Sequence, residues 1–144
     1  MSGEMNADDS RKINGYYAII SNLERIGDHA TNIAEYADDM KKWELQFSDN
    51  VLDELEEMKK QCISCLENVK NVDPADTGRV LNQAEILEQK TDDMRDKYFK
   101  KQMQRLKKGK CKPQSGIVFS EVLTDFERMG DHALNIAQQY KEMG

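Results

Sequence analysis

The sequence has little of what most other fold classes need. Proline occurs twice and glycine eight times in 144 residues, which is too few turn-forming residues for a β-sandwich. No run of about 18 apolar residues is present, so we expect no membrane-spanning segment. The first twelve residues, MSGEMNADDSRK, hold no apolar stretch, so we do not expect a secretory signal. Three cysteines do not suit a disulfide framework and favour a reducing, cytoplasmic location.

The charge balance is acidic, with 27 acidic residues against 21 basic ones and a formal net charge of −6. Nucleic acids require a basic footprint, so we exclude them as partners. An acidic chain suits cations better. The mixture of 38% hydrophobic and 33% charged residues is typical of long amphipathic helices.

Apolar residues recur at spacings of three and four in four long segments, which predicts an all-α fold. Ser48 and Ser115 are the expected N-caps of the second and fourth helices, and Pro74 the first residue of the third. The predicted helices cover about 10–42, 48–72, 74–108 and 115–142. Short connections favour antiparallel neighbours, so we predict an up-down antiparallel four-helix bundle over 10–144, after a disordered leader over 1–9.

One thirteen-residue phrase occurs twice, as NLERIGDHATNIA from residue 22 and DFERMGDHALNIA from residue 125, with nine identical positions. The two copies lie on the first and fourth helices. The repeat predicts an internal duplication of which the chain holds only part of the earlier copy. Leu23 and Ala30 belong to the apolar stripe that we expect to face the core. Gly27 costs about 1 kcal/mol in a helix interior, so we expect a helix to approach closely there.

Three acidic pairs carry Glu and Asp four residues apart, a spacing that stacks both side chains on one helix face. They are Glu24 with Asp28, Glu88 with Asp92, and Glu127 with Asp131. Two carboxylates so placed repel each other, and a cation bound between them would turn this repulsion into a net attraction. A solvated acidic surface without metal is the alternative interpretation.

The predicted register of the third and fourth helices brings two of these pairs to the same height. In an antiparallel third and fourth helix, Asp92 lies level with Asp131, and Glu88 and Glu127 lie within about 6 Å of that level. Four converging carboxylates predict a site for magnesium, calcium, manganese or iron. The first pair, on the first helix, has no acidic partner at its level. Either a second chain or the missing part of the earlier copy would complete it.

Four further residues are candidate ligands. His29 and His132 each follow a motif aspartate, and we favour packing between helices over metal ligation for both, because residue i+1 points about 100° away from the aspartate. Glu85 and Asp96 extend the acidic line of the third helix.

LERIGDHATNIAE over 23–35 and FERMGDHALNIA over 126–137 resemble the signature of PhoU-like proteins. The resemblance implies a fold of two three-helix repeats whose acidic E/D-x-x-x-D motifs bind multinuclear clusters of iron or zinc. On that mapping, 10–42 is the last helix of the first repeat and 48–144 is a complete second repeat. All six paired carboxylates fall at motif positions.

The resemblance further implies a non-catalytic regulatory domain in phosphate transport or its control. Within the family, the closing phrase resembles the C-terminal cytoplasmic PhoU domain of bacterial sodium/phosphate cotransporter-like proteins more than it resembles the free regulator. Its partner would then be the membrane transporter portion of the same or an associated protein, at the inner face of the membrane. A metal-free interaction module and a carboxylate-bridged metalloenzyme are the alternatives.

Two surface features predict further partners. The first helix lacks the neighbours that the family fold would give it, so we expect homo-oligomers formed through it. The basic cluster within 100–112 either complements the dipole at the end of the third helix or contacts an anionic lipid surface or phosphate.

Overall fold

The structure, a computed structural model, describes residues 6–144, and each of the four segments predicted to be helical forms a helix. No strand occurs in this part of the chain. A short 3-10 turn, Pro74–Asp76, precedes the third helix. The helices are α1 (Ala7–Lys42), α2 (Asp49–Asn68), α3 (Thr77–Lys107) and α4 (Pro113–Met143).

Helix α1 begins earlier than predicted. Asn6 is its N-cap and accepts a hydrogen bond from the Asp9 amide at 2.8 Å. This cap makes residues 7–9 helical, although the sequence placed them in a disordered leader. Residues 1–5 of that leader lie outside the described residues.

The other helix starts confirm one expectation and correct two. Ser48 caps α2 by accepting from the Val51 amide, as predicted. Helix α3 begins only at Thr77, because the turn after Asp73 is 3-10. Helix α4 begins at Pro113 and not at Ser115, since proline has a backbone suited to the first helical position.

Helix α4 contacts all three other helices, whereas α1 packs mainly along α4. Helices α2 and α3 run in opposite directions. Glu54 near the start of α2 pairs with Arg105 near the end of α3, while Asn68 at the end of α2 donates to the Val80 carbonyl near the start of α3. Helices α3 and α4 are also antiparallel, as the register predicted for the acidic pairs requires. The pairs that show it are Arg95 with Glu127 and Leu106 with Gly116.

The core consists mainly of one face of α4 packed against α2 and α3. Phe119 and Leu123 are fully buried and pack with Met58 of α2 and Tyr98 of α3. A second cluster, around Ala137, closes the opposite end. Apolar burial on this face fixes the rotation of α4, and with it the direction of its acidic side chains.

The corresponding face of α1 is uncovered. Tyr16, Ile20 and Leu23 stand 103 positions before the α4 residues Phe119, Leu123 and Phe126 and are 56%, 52% and 53% exposed. We call the face defined by Tyr16, Ile20, Leu23, Gly27 and Ala30 the open face of α1. The expectation that Leu23 and Ala30 lie in the core is wrong in this chain, since both are exposed. Among residues 6–144, no other helix comes within 4 Å of a Cβ built at Gly27, so the close approach expected there is absent.

Candidate metal centre

Three carboxylates converge between α3 and α4. Ligand oxygens of Glu88, Asp92 and Asp131 all lie within 4.8 Å of one another. All three side chains are half-buried. The i, i+4 spacing puts Glu88 and Asp92 on one face of α3, and the antiparallel register brings Asp131 level with them. We call these three residues the carboxylate cluster.

A compact polar layer behind the cluster links α3 to α2. Gly130 of α4 faces this layer, and a Cβ built there would make ordinary van der Waals contacts with Thr91 at 3.5 Å and Cys65 at 3.6 Å. The Thr91 hydroxyl donates to the Leu87 carbonyl at 2.8 Å and accepts from Gln61 at 3.3 Å. These contacts fix the turn of α3 from which Glu88 and Asp92 extend.

The proximity of these carboxylates changes their proton affinity. The pKa of Glu88 is raised to about 7, first by its hydrogen bond with Asp92, then by burial and by the charges of Asp92 and Asp131. Burial, followed by the Asp92 charge, raises the pKa of Asp131. A proton therefore offsets part of the repulsion within the cluster at neutral pH. A metal ion would do the same with a larger charge.

The donor set fits a hard cation. Carboxylate oxygens suit magnesium, calcium, manganese and iron. The cluster contains no sulfur or imidazole donor. Three carboxylates leave coordination positions for water or a further ligand.

Glu127, predicted as a fourth ligand, lies outside the carboxylate cluster. Its Oε2 is 3.8 Å from the Nε of Arg95. Burial is the largest cause that raises the pKa of Glu127, and the Arg95 charge opposes it. Asp96 is exposed and lies 3.5 Å from the Nη1 of Arg95.

The remaining acidic candidates are not brought to the cluster. Glu24 and Asp28 are exposed on α1. They join no metal-like group within residues 6–144. Glu85 is also exposed and lines a shallow surface depression with Ile86 and Gln89.

The two histidines lie in the interface between α1 and α4. Their rings stack with centroids 5.6 Å apart. His29 Nδ1 is 2.8 Å from an oxygen of Asp125, and His132 Nδ1 is 2.9 Å from the side-chain oxygen of Asn22. Asn22 and Asp125 are equivalent positions of the repeat, so each copy binds the histidine of the other. Burial, followed by the His29 charge, lowers the pKa of His132.

Arg95 and Asp125 are the residues that sequence reasoning missed. The register that brings Asp92 level with Asp131 also brings Arg95 level with Glu127, so this contact could be predicted from the sequence. Aligning the two copies of the phrase puts Asp125 at the position of Asn22. An acid in place of the amide at this repeated position was the sequence signal for Asp125.

The basic cluster within 100–112 is only partly available to a partner. Arg105 forms an ion pair with the buried Glu54 and donates to the Gln102 side chain at 2.8 Å. The lysines of this cluster are exposed. They are Lys100, Lys101, Lys107, Lys108, Lys110 and Lys112.

These observations define a helical domain with paired carboxylates on neighbouring helices. The PhoU domain family model matches residues 1–37 and 49–140. The chain therefore belongs to the PhoU family. No curated protein and no solved structure is significantly similar to it. None of the helices within residues 6–144 is apolar over a length that could cross a bilayer.

Proposed function

We propose that this PhoU domain is a non-catalytic regulator of phosphate transport or signalling that binds a metal ion through Glu88, Asp92 and Asp131. The observation that carries this proposal is the carboxylate cluster, with all three ligand oxygens within 4.8 Å. No ion pair to a lysine or arginine within residues 6–144 neutralises these three residues. The family's role in phosphate homeostasis supplies the biological context.

The donor chemistry favours iron or manganese over zinc. Zinc sites in proteins draw mainly on cysteine and histidine, whereas this cluster offers oxygen alone. The buried Cys62 and Cys65 do not contribute, and burial raises the pKa of the Cys62 thiol to about 12. Histidine is also absent from the cluster, which weakens the alternative of a carboxylate-bridged metalloenzyme of the Glu-x-x-His kind.

Metal analysis of two matched variants tests this proposal. The wild-type protein is purified without chelator or nickel resin, and bound metal is quantified by plasma mass spectrometry. We expect Asp92→Asn with Asp131→Asn to lose the metal. The control changes Glu24→Gln and Asp28→Asn, the exposed pair on α1, and should retain it. Equal metal in both variants would contradict the assignment of the site.

A second candidate function is protein interaction through the open face of α1. Its exposed Tyr16, Ile20 and Leu23 support homo-oligomers formed through this helix. Sedimentation velocity at micromolar concentration tests this, with Ile20→Lys and Leu23→Lys expected to shift the protein to monomer. Ile86→Lys is a control at an isolated exposed residue of α3. A wild-type protein that is already monomeric would refute the idea.

The membrane setting is a further part of the proposal. We place the domain at the inner face of the membrane, attached to or beside a sodium/phosphate cotransporter-like partner, with the exposed lysines of 100–112 toward anionic lipid. PhoU family membership and the exposure of these lysines support this. Cosedimentation with phosphatidylglycerol vesicles tests it. Substitution of Lys107, Lys108 and Lys110 by glutamate should abolish binding at about 0.1 M salt.

A further inference from the structure

Arg95 lies one helical turn beyond Asp92 and reaches from α3 to α4. Its Nε is 3.8 Å from Glu127, its Nη1 is 3.5 Å from Asp96 and its Nη2 is 3.4 Å from the Thr124 hydroxyl. The guanidinium also stacks 4.8 Å above the Phe99 ring. Arg95 thus places one positive charge between carboxylates of two helices, one turn of α3 from Asp92 of the carboxylate cluster.

The acidic surface therefore has two levels with different charge balance. The first level holds Glu88, Asp92 and Asp131 and has no arginine or lysine within ion-pair distance among residues 6–144. The second level holds Glu127 and Asp96, and there Arg95 contacts both. Carboxylates such as Asp92 and Asp131 can bridge two metal ions, because each has two oxygens. At the second level the guanidinium of Arg95 supplies the positive charge that Glu127 and Asp96 face.

Every polar contact of Arg95 is long. The ion-pair and hydroxyl distances all exceed 3.3 Å, and the Nε is buried without a hydrogen-bond partner in the described part of the chain. A guanidinium that recognised a carboxylate in its preferred forked geometry would show contacts of about 2.8 Å. The contacts of Arg95 are those of a charge that balances several acids rather than of one specific salt bridge.

We propose that Arg95 takes the place of a second metal ion beside the carboxylate cluster and so limits this chain to one bound ion. The inference rests on the proposed metal binding. Removal of the arginine charge frees Glu127 to serve with Asp131 and Asp92 as ligands of a second ion. Arg95 is then the residue that sets how many ions the domain holds.

Manganese binding to chelator-treated protein tests this inference. Isothermal titration calorimetry, with metal content checked after dialysis, gives stoichiometry and affinity. We expect one Mn²⁺ per chain in the wild type and two in Arg95→Met. The double variant Arg95→Met with Glu127→Gln should return to one. Arg95→Gln, which keeps hydrogen-bond donors without the charge, is measured in parallel and should also bind two.

Arg128→Met is the matched control, because Arg128 is exposed and its charge acts on Asp131 without an ion pair. A unit charge about 8 Å from a divalent ion in a water-like dielectric changes affinity by about sixfold. This control should therefore bind one Mn²⁺, at most about sixfold more tightly.

The outcomes separate the two proposals. One Mn²⁺ in both the wild type and the Arg95 variants, or two in the wild type, overturns the role of Arg95 and leaves the metal-binding function standing. No Mn²⁺ in any of these proteins overturns both. Circular dichroism melts confirm that each variant is folded.

Discussion

Glu88→Gln separates the stability of this domain from its proposed metal binding. The pKa of Glu88 is raised from 4.5 to about 7 in the folded protein, so the folded state holds this proton more tightly than the unfolded state. Stability from the proton is fully present below about pH 4.5 and is lost as the pH rises through 7. Above pH 7 the ionised Glu88 repels Asp92 and Asp131. Glutamine keeps the shape of the protonated side chain and cannot ionise.

The size of the effect follows from the shift. At 1.36 kcal/mol per pKa unit, a change from 4.5 to about 7 corresponds to at most about 3.4 kcal/mol. Glu88 is only half-buried, and solvent screening reduces this to about 1–2 kcal/mol. Without metal, we therefore expect Glu88→Gln to be about 1–2 kcal/mol more stable than the wild type at pH 8. The two should be nearly equal at about pH 4, below the pKa that Glu88 has in the unfolded chain.

Urea unfolding followed by circular dichroism, in chelator at both pH values, measures this difference. Manganese should then reverse the order at pH 8. An ion present at 100 times its Kd stabilises the wild type by about 2.7 kcal/mol, and the variant lacks one of the three ligands. Parallel pH profiles of stability for the two proteins would refute the reasoning about Glu88. If the pH profiles differ but manganese does not reverse the order of stability at pH 8, only the proposed metal binding is refuted.

Three further substitutions test other parts of the structure, each by urea unfolding. Gly27→Ala should stabilise the domain by about 1 kcal/mol, since a methyl group there meets no neighbour; destabilisation would mean that another surface covers this position. Glu54→Ala should cost about 3 kcal/mol by leaving Arg105 without its buried partner, and a loss below about 1 kcal/mol would show that water replaces the carboxylate. Asp125→Ala should cost about 2 kcal/mol because it removes the acceptor of His29; an unchanged midpoint would contradict that.

Local chemistry made much of the fold predictable from sequence. Apolar spacing located four helices, and the Ser48 side chain marked the start of α2 as expected. Proline correctly marked the start of regular structure at Pro74, yet spacing alone could not distinguish a 3-10 turn from the first turn of α3. Periodicity also identifies which face of a helix is apolar but not whether another helix covers it. That is why the sequence predicts a core position for Leu23, whereas this side chain is exposed in the structure.

For the candidate site, the sequence predicted the helix register but not every side-chain contact. The antiparallel register alone brought Asp92 and Asp131 together, and the structure places their oxygens in one cluster with Glu88. Glu127 sits at a suitable height but lies against Arg95. Whether the Glu127 side chain turns to the cluster or to Arg95 depends on contacts between two helices. The residue pattern of one helix cannot predict this.

Duplication of one helix face has a consequence for the folding route. The α2–α3 hairpin buries Phe119 and Leu123 of α4 in the native state, but α1 presents a similar surface through Tyr16 and Ile20. The segments 43–48 and 108–112 that connect the hairpin to α1 and α4 are both short, so either surface lies within its reach. The repeat therefore allows a competing misfolded topology, in which the α2–α3 hairpin docks on α1 in place of α4. The copies differ at this surface, with Tyr16 at the position of Phe119, and such differences are what a sequence can use to disfavour a competing topology.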